Sequence, residues 1–230
     1  AVRAPLGRLS ARGNTQHGTL AIVWGDPQSG GAAITHYYLT TDDGETIRLI
    51  LPETETVDIL ALNGRRVIVE SRGPIRNRPD DEQPVLPVDA IRPADPSPIT
   101  EAPQVEGSQP YVTILCSFPD VADTHKPLSY YQEMYRDTAP GLYHYWQDLS
   151  YGLVNVAGSA AYGPYALPNP RNYYMISGEA DLNKLATDCV AAADPTVDFP
   201  QFKGINMTLN ANIGCCAWGG RRTMTLDGVT

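Results

Sequence analysis

Four histidines (His17, His36, His125, His144) and four cysteines (Cys116, Cys189, Cys215, Cys216) are the side chains able to hold a metal or activate a nucleophile. No two histidines lie i, i+4 and none precedes a glutamate, so these residues contain no H-E-x-x-H zinc helix. His125, in ADTHKP, reads as an exposed or helix-entry residue rather than a ligand, and His144, among Tyr143, Tyr145 and Trp146, as a helix-surface or packed one. A thiolate at Cys215 or Cys216 would need a histidine or helix terminus to lower its pKa, and no histidine occurs in the seventy residues before Cys215. No G-x-S-x-G is present, and Gly158-Ser159 lacks the flanking pattern of a nucleophile elbow. With no C-x-x-C spacing, the cysteines are expected to serve structure. Cys189 would bridge to Cys215 or Cys216, the alternative being that Cys116 and Cys189 are buried thiols. Asp120, Asp123, Asp194 and Asp198 are oxygen ligands of the kind calcium takes, although their settings match turns and caps better than a calcium loop.

The elements that would position these residues fall into two domains joined by a linker. Apolar residues make up 42% of the 230, which is globular composition. A formal net charge of −9 repels phosphate backbones, so no nucleic-acid partner is expected. The longest uncharged stretch, residues 149–170, is broken by glycines and prolines, so no membrane insertion is expected either. Nine prolines between Pro74 and Pro110 mark an extended connector over residues 93–109. Before it, residues 1–92 read as short strands with a hairpin signal at Asp43-Gly44 and a turn at Asn63-Gly64, giving a small OB-like barrel of about five strands. Its few aromatics, Trp24, Tyr37 and Tyr38, argue against a base-stacking surface.

Beyond the linker, residues 110–230 read as an α/β domain, making the chain α+β overall. PYVTILCSF is a buried central strand. Leu128 to Thr138 forms a helix, and a second opens at Thr138 and Pro140 with Leu142, Tyr145, Trp146 and Leu149 as its apolar stripe. A strand follows near Leu153 to Ala157, then a Gly/Pro/Tyr-rich loop through Pro170. Leu182, Leu185, Ala186, Cys189, Val190 and Ala193 stripe a third helix, and GINMTLNAN and RTMTLDG are strands. Eleven of the thirteen tyrosines lie between Tyr111 and Tyr174, fit for a core and its rim or for a sugar or peptide groove.

The run YVTILCSFPD, then GLYHYWQDLSYGLVNVAGSAAYGPYALPNPRNYY, then CCAWGG and MTLDG, resembles the start of the catalytic domain of immune inhibitor A-type (thuringilysin-like) secreted zinc metallopeptidases. The resemblance covers about residues 110–230 and implies the upstream half of a zincin: a twisted sheet with backing helices, followed by a helix bearing H-E-x-x-H. It implies a zinc endopeptidase acting outside the cell on protein or peptide substrates, with zinc as cofactor and the β-domain as a pro- or accessory region. No zinc ligand or catalytic base transfers to any residue here, so the 230-residue piece is expected to be inactive by itself. By the same analogy, Thr223, Met224, Thr225 and Leu226 would form the strand that borders the cleft and pairs with substrate. The start at Ala1 and the close at Thr230 after a strand-like run make a longer parent protein the expectation. The competing class is a non-catalytic extracellular adhesion or polysaccharide-binding module. Oligomeric state is not legible in the sequence.

Overall fold

The computed structural model describes residues 14–27, 30–52, 58–71, 73–78, 81–95, 104–176, 178–214 and 216–220. They divide into two units, one of the described residues up to 95 together with Cys216–Gly220, the other of residues 104–214, each with its own apolar core. Strand outweighs helix in this α+β chain.

The first unit is a sheet of seven consecutive strands: β1 (Asn14–Pro27), β2 (Ile34–Thr41), β3 (Thr46–Ile50), β4 (Arg66–Ser71), β5 (Arg76–Arg78), β6 (Asp81–Pro87) and β7 (Ala90–Pro93). Their order is β5-β6-β3-β2-β1-β4-β7, with only β3 and β6 parallel. Period-two alternation sends Leu20, Ile22, Leu39, Ile47, Leu49, Val67 and Val69 to one face, all buried. Each contributes roughly 1.5–3 kcal/mol by leaving water. The β2–β3 hairpin turns at Asp43-Gly44, where Gly44 takes φ +85°, a left-handed conformation that glycine adopts without penalty. The expected small all-β domain is therefore present, with more strands than the five anticipated. Among the described residues the end strands β5 and β7 do not pair, so the sheet is a curled half-barrel.

The second unit contains β8 (Gly107–Ser108), β9 (Tyr111–Ser117), α1 (Leu128–Glu133), α2 (Leu142–Leu149), β10 (Val154–Asn155), β11 (Ala160–Ala166), β12 (Met175–Ile176), β13 (Glu179–Ala180), α3 (Leu182–Ala193) and β14 (Gly204–Leu209). Its main sheet is three parallel strands in the order β11-β9-β14. Strand β9 lies in the middle with Val112 through Cys116 all buried, as its near-continuous apolar run requires. Helix α3 is capped by Asp181, whose Oδ1 accepts from the Asn183 and Lys184 amides at 3.0 and 3.1 Å. Its stripe of Leu185, Cys189, Val190 and Ala193 packs on Val112, Ile114 and Cys116. A disulfide joins Cys116 of β9 to Cys189 of α3, Cα atoms 5.9 Å apart.

Several expectations are corrected here. Cys189 is bonded to Cys116 and so to neither Cys215 nor Cys216; strand and helix face each other across the core, a closeness that spacing along the chain does not encode. Cys216 is disulfide-bonded as well, and Cys215 lies outside the described residues. The first helix stops at Glu133, and α2 begins after Gly141 rather than at a Thr138 cap. The stripe on α2 faces outward, with Tyr145, Trp146 and Leu149 exposed, because this eight-residue helix packs against the short β10 instead of the main sheet. The segment expected as a Gly/Pro/Tyr loop contains β11. Its Gly163-Pro164 pair is absorbed by a register shift between Tyr162 and Tyr165, and Gly163 is required there because a Cβ would lie 2.7 Å from the Leu115 carbonyl oxygen.

The 110–230 segment is also not one continuous domain. A last strand, β15 (Cys216–Gly220), belongs to the first unit, where it pairs antiparallel with β1 from Val23↔Gly220 to Pro27↔Cys216. The expected RTMTLDG strand lies outside the described residues. No helix among the described residues is long and apolar enough to cross a membrane.

The disulfide closes a long loop around the second unit's core. Replacing Cys116 and Cys189 together by alanine should lower that unit's stability by about 2–5 kcal/mol in denaturant unfolding. A non-reducing peptide map of the native chain should recover the 116–189 linked pair.

Candidate functional site

In parallel sheets the loops at the carboxyl ends of the strands carry polar groups into a common crevice. Here β9 ends at Ser117 and β14 at Leu209, and the residues after them enclose a cleft of about 420 Å³. Ser117, Asp123, Thr124, His125, Lys126 and Asn210 give it polar groups, and Leu115, Phe118, Val121 and Leu128 give it apolar wall.

Asn210 builds this end of the sheet. Its Oδ1 accepts from the Phe118 amide at 2.8 Å, and its Nδ2 donates to the carbonyls of Val121 and Asp123 at 3.2 and 3.1 Å. One nearly buried amide therefore supplies the backbone partners that the turn after β9 cannot find within a strand. Asp120 adds a second tie by accepting from the Arg171 amide at 2.8 Å, and the Arg171 guanidinium donates to the Asn212 carbonyl.

The loop so held brings His125 back over the end of β9. Its Nε2 lies 3.2 Å from the Cys116 carbonyl oxygen and 3.1 Å from Ser117 Oγ. A carbonyl only accepts, so this geometry places the ring proton on Nε2. With that proton in place, His125 cannot take one from Ser117 at the same nitrogen, and the contact is not a nucleophile–base pair. The other nitrogen, Nδ1, is buried with no hydrogen-bond partner among the described residues. Burial lowers the His125 pKa below its ordinary value, offset in part by the bond to the Cys116 carbonyl, so the ring is neutral near pH 7. A neutral imidazole with its proton on Nε2 leaves Nδ1 as an acceptor, enclosed within the protein rather than open to the cleft.

The sequence reading took His125 as an exposed or helix-entry residue, and it stands three positions before α1, but that reading made no use of Ser117 or Asn210. The missed signal is the eight-residue return from the end of a buried strand to a histidine, with an asparagine ending the neighbouring strand. His144 is far from this cleft in role, bonding through Nε2 to the Asp137 carbonyl.

Among the described residues no three His, Cys, Asp or Glu side chains gather as possible metal ligands. The four aspartates considered for calcium do not gather either: Asp120 bonds to the Arg171 amide, Asp198 accepts from Gln201, and Asp194 ends α3 with Oδ1 buried and unpartnered. Thr223, Met224, Thr225 and Leu226 lie outside the described residues.

The tyrosines divide between buried and exposed positions. Tyr174 and Tyr135 are buried, the latter bonded to Thr113 Oγ1 and Asn206 Nδ2, while Tyr130, Tyr145, Tyr151 and Tyr173 are exposed. Burial first, then the bond its hydroxyl donates to Asp188, pushes the Tyr174 pKa up to about 12.

Compared with known protein families, curated proteins and solved structures, the chain matches none.

Two measurements follow from this geometry. Because the folded chain binds the His125 proton more weakly than the unfolded one, its share of the stability should be fully present above pH 6.5 and fall away as the pH drops below it. An NMR titration of the imidazole should show a midpoint under 6.5, and a midpoint at or above it would contradict the burial. Asn210→Ala should cost about 1–3 kcal/mol in urea unfolding by stranding buried backbone groups, with a change confined to loop 118–125 in hydrogen exchange.

Proposed function

We propose that this chain is the amino-terminal portion of a secreted zinc-dependent endopeptidase that hydrolyses peptide bonds by metal-activated water. The observation that carries the reading is the arrangement of the motif residues in the second unit. Of the motif residues, YVTILCSFPD supplies β9 and GSAAYGPYALP supplies β11; with GINMTL, outside the motif, as β14 they form a three-stranded parallel sheet with α3 against one face. A sheet backed by a helix supports the reading, since the resemblance implies a twisted sheet with backing helices. In this reading the curled β-sheet unit is an OB-like pro- or accessory region, and protein or peptide is the substrate. The disulfide supports action in an oxidising, extracellular setting.

The zinc ligands and the general base would come from an H-E-x-x-H helix that these 230 residues do not contain, so no catalytic step is assigned to any of them. The second reading, an extracellular adhesion or polysaccharide-binding module, draws on the exposed rings of Tyr145, Trp146 and Tyr151 around α2.

The test compares the 230-residue chain with one extended through its downstream coding sequence. The short chain should neither retain zinc against a competing chelator nor release peptides from casein. The extended chain should do both and lose casein hydrolysis on chelation. Casein hydrolysis by the short chain, or a downstream sequence without H-E-x-x-H, would overturn the proposal. Saturable binding of the short chain to a glycan array in the second case would establish the binding module instead.

A further inference from the structure

Strand β1 is the one strand of the first unit whose partners come from opposite ends of the chain. One edge pairs with β2 over residues 18–25. The other edge is occupied in three consecutive stretches. Strand β4 takes residues 14–19; the turn before β4 takes the next positions, through the Leu20 bonds to Gly64 and Arg65 and the Ile22 amide donating to Asn63 Oδ1; β15 takes Val23 to Pro27. Residues 23–27 thus depend for that edge on a segment nearly two hundred positions away.

A shaped slot accompanies the edge. Trp218 of β15 stands opposite Gly25, where a Cβ would come 2.7 Å from the indole carbons, so only glycine leaves room for the ring. The His36 ring, nearly buried on β2, stacks on the indole with centroids 5.2 Å apart and planes 18° from parallel. His36 is itself positioned by Arg48 Nη2 at 3.1 Å from its Nδ1 and by the edge of Tyr38. Beyond the indole the incoming strand must be small, since at Gly220 a Cβ would lie 2.6 Å from the Ile22 carbonyl oxygen. The described residues named in the slot belong to β1, β2 and β3, whereas its occupant arrives from beyond β14.

We propose that the Val23–Pro27 edge of β1, with its glycine floor and histidine wall, is a strand-acceptor site that recognises an extended segment of the form Trp–x–Gly, and that this pairing holds the Cys216–Gly220 segment to the first sheet even when the proline-rich connector is severed. Backbone pairing supplies the attachment and the indole slot supplies selectivity, the division of labour seen wherever a strand is added to a sheet edge. The inference does not rest on the endopeptidase reading. If that reading holds, the first unit is a pro-region that this strand would keep attached after cleavage.

The experiment uses the 230-residue chain with a specific protease site placed between residues 96 and 103. After complete cutting, the two pieces should co-elute on gel filtration under native conditions and separate in denaturant. Trp218→Ala, which alters only the incoming strand, should make the cut pieces separate. Gly25→Val should do the same, whereas Gly219→Ala should not, because a Cβ there meets nothing nearer than 3.8 Å. A synthetic peptide of residues 213–220 should displace the downstream piece, and its Trp218→Ala version should need at least about thirtyfold more to do so. Wild-type pieces that separate on cutting, or Trp218→Ala pieces that remain together, would overturn the proposal. The peptide competition decides the matter should Gly25→Val fail to fold.

Discussion

A backbone amide or carbonyl buried without a partner costs as much as a lost hydrogen bond, and in this chain two strands bear most of that obligation. Strand β9 meets it with parallel neighbours on both edges, and α3 lies against the face that carries Val112, Ile114 and Cys116. Strand β1 meets it with antiparallel neighbours, one of its edges being shared among β4, a turn and β15. The places of β2, β4 and β15 in one unit and of β11 and β14 in the other follow from which stretch of these two strands each completes.

The same obligation shapes the cleft. A parallel strand leaves its sheet pointing at a loop, and the loop's polar backbone must be satisfied at once. Asn210 does this for the turn after β9, and His125 caps the Cys116 carbonyl at the rim. The bare Nδ1 of His125 is a by-product of that capping: once one ring nitrogen is committed to a carbonyl, the other is left as an acceptor with burial holding it uncharged. Structure and chemical capability at this end of the sheet are thus two uses of one side chain.

How much of this the sequence disclosed depended on whether the signal was local. The near-continuous apolar run of β9, the 3.6-residue stripe of α3 and the Asp43-Gly44 turn could each be read in isolation, because burial and turn geometry act over a few neighbouring residues. Strand β11 was hidden because Gly163-Pro164 is ordinarily a breaker, and only the backbone of Leu115 lying against it explains its place. The stripe on α2 pointed to a buried face that the helix does not have, since periodicity says which residues share a side and not what lies opposite. The Cys116 to Cys189 pairing, the Ser117–His125–Asn210 end of the sheet and the return of Cys216 to β1 all join residues far apart in the chain, where no local pattern reaches. The candidate site was therefore less legible than the fold, because its parts are single polar residues contributed by separate loops.

The late arrival of β15 bears on how the chain is made. Synthesis delivers β1 through β7 first and the Cys216–Gly220 stretch only after residues 104–214, so while those residues are made the first sheet has residues 23–27 of β1 open along one edge. An unpaired edge in a nascent chain is a template for misplaced strands. Several residues there temper the hazard: Gly25 weakens strand propensity, Asp26 places a charge, and Pro27 removes an amide donor at the end of the exposed stretch. The residues that leave room for the indole in the finished protein are thus also poor recruits for a stray strand while the chain is still being made.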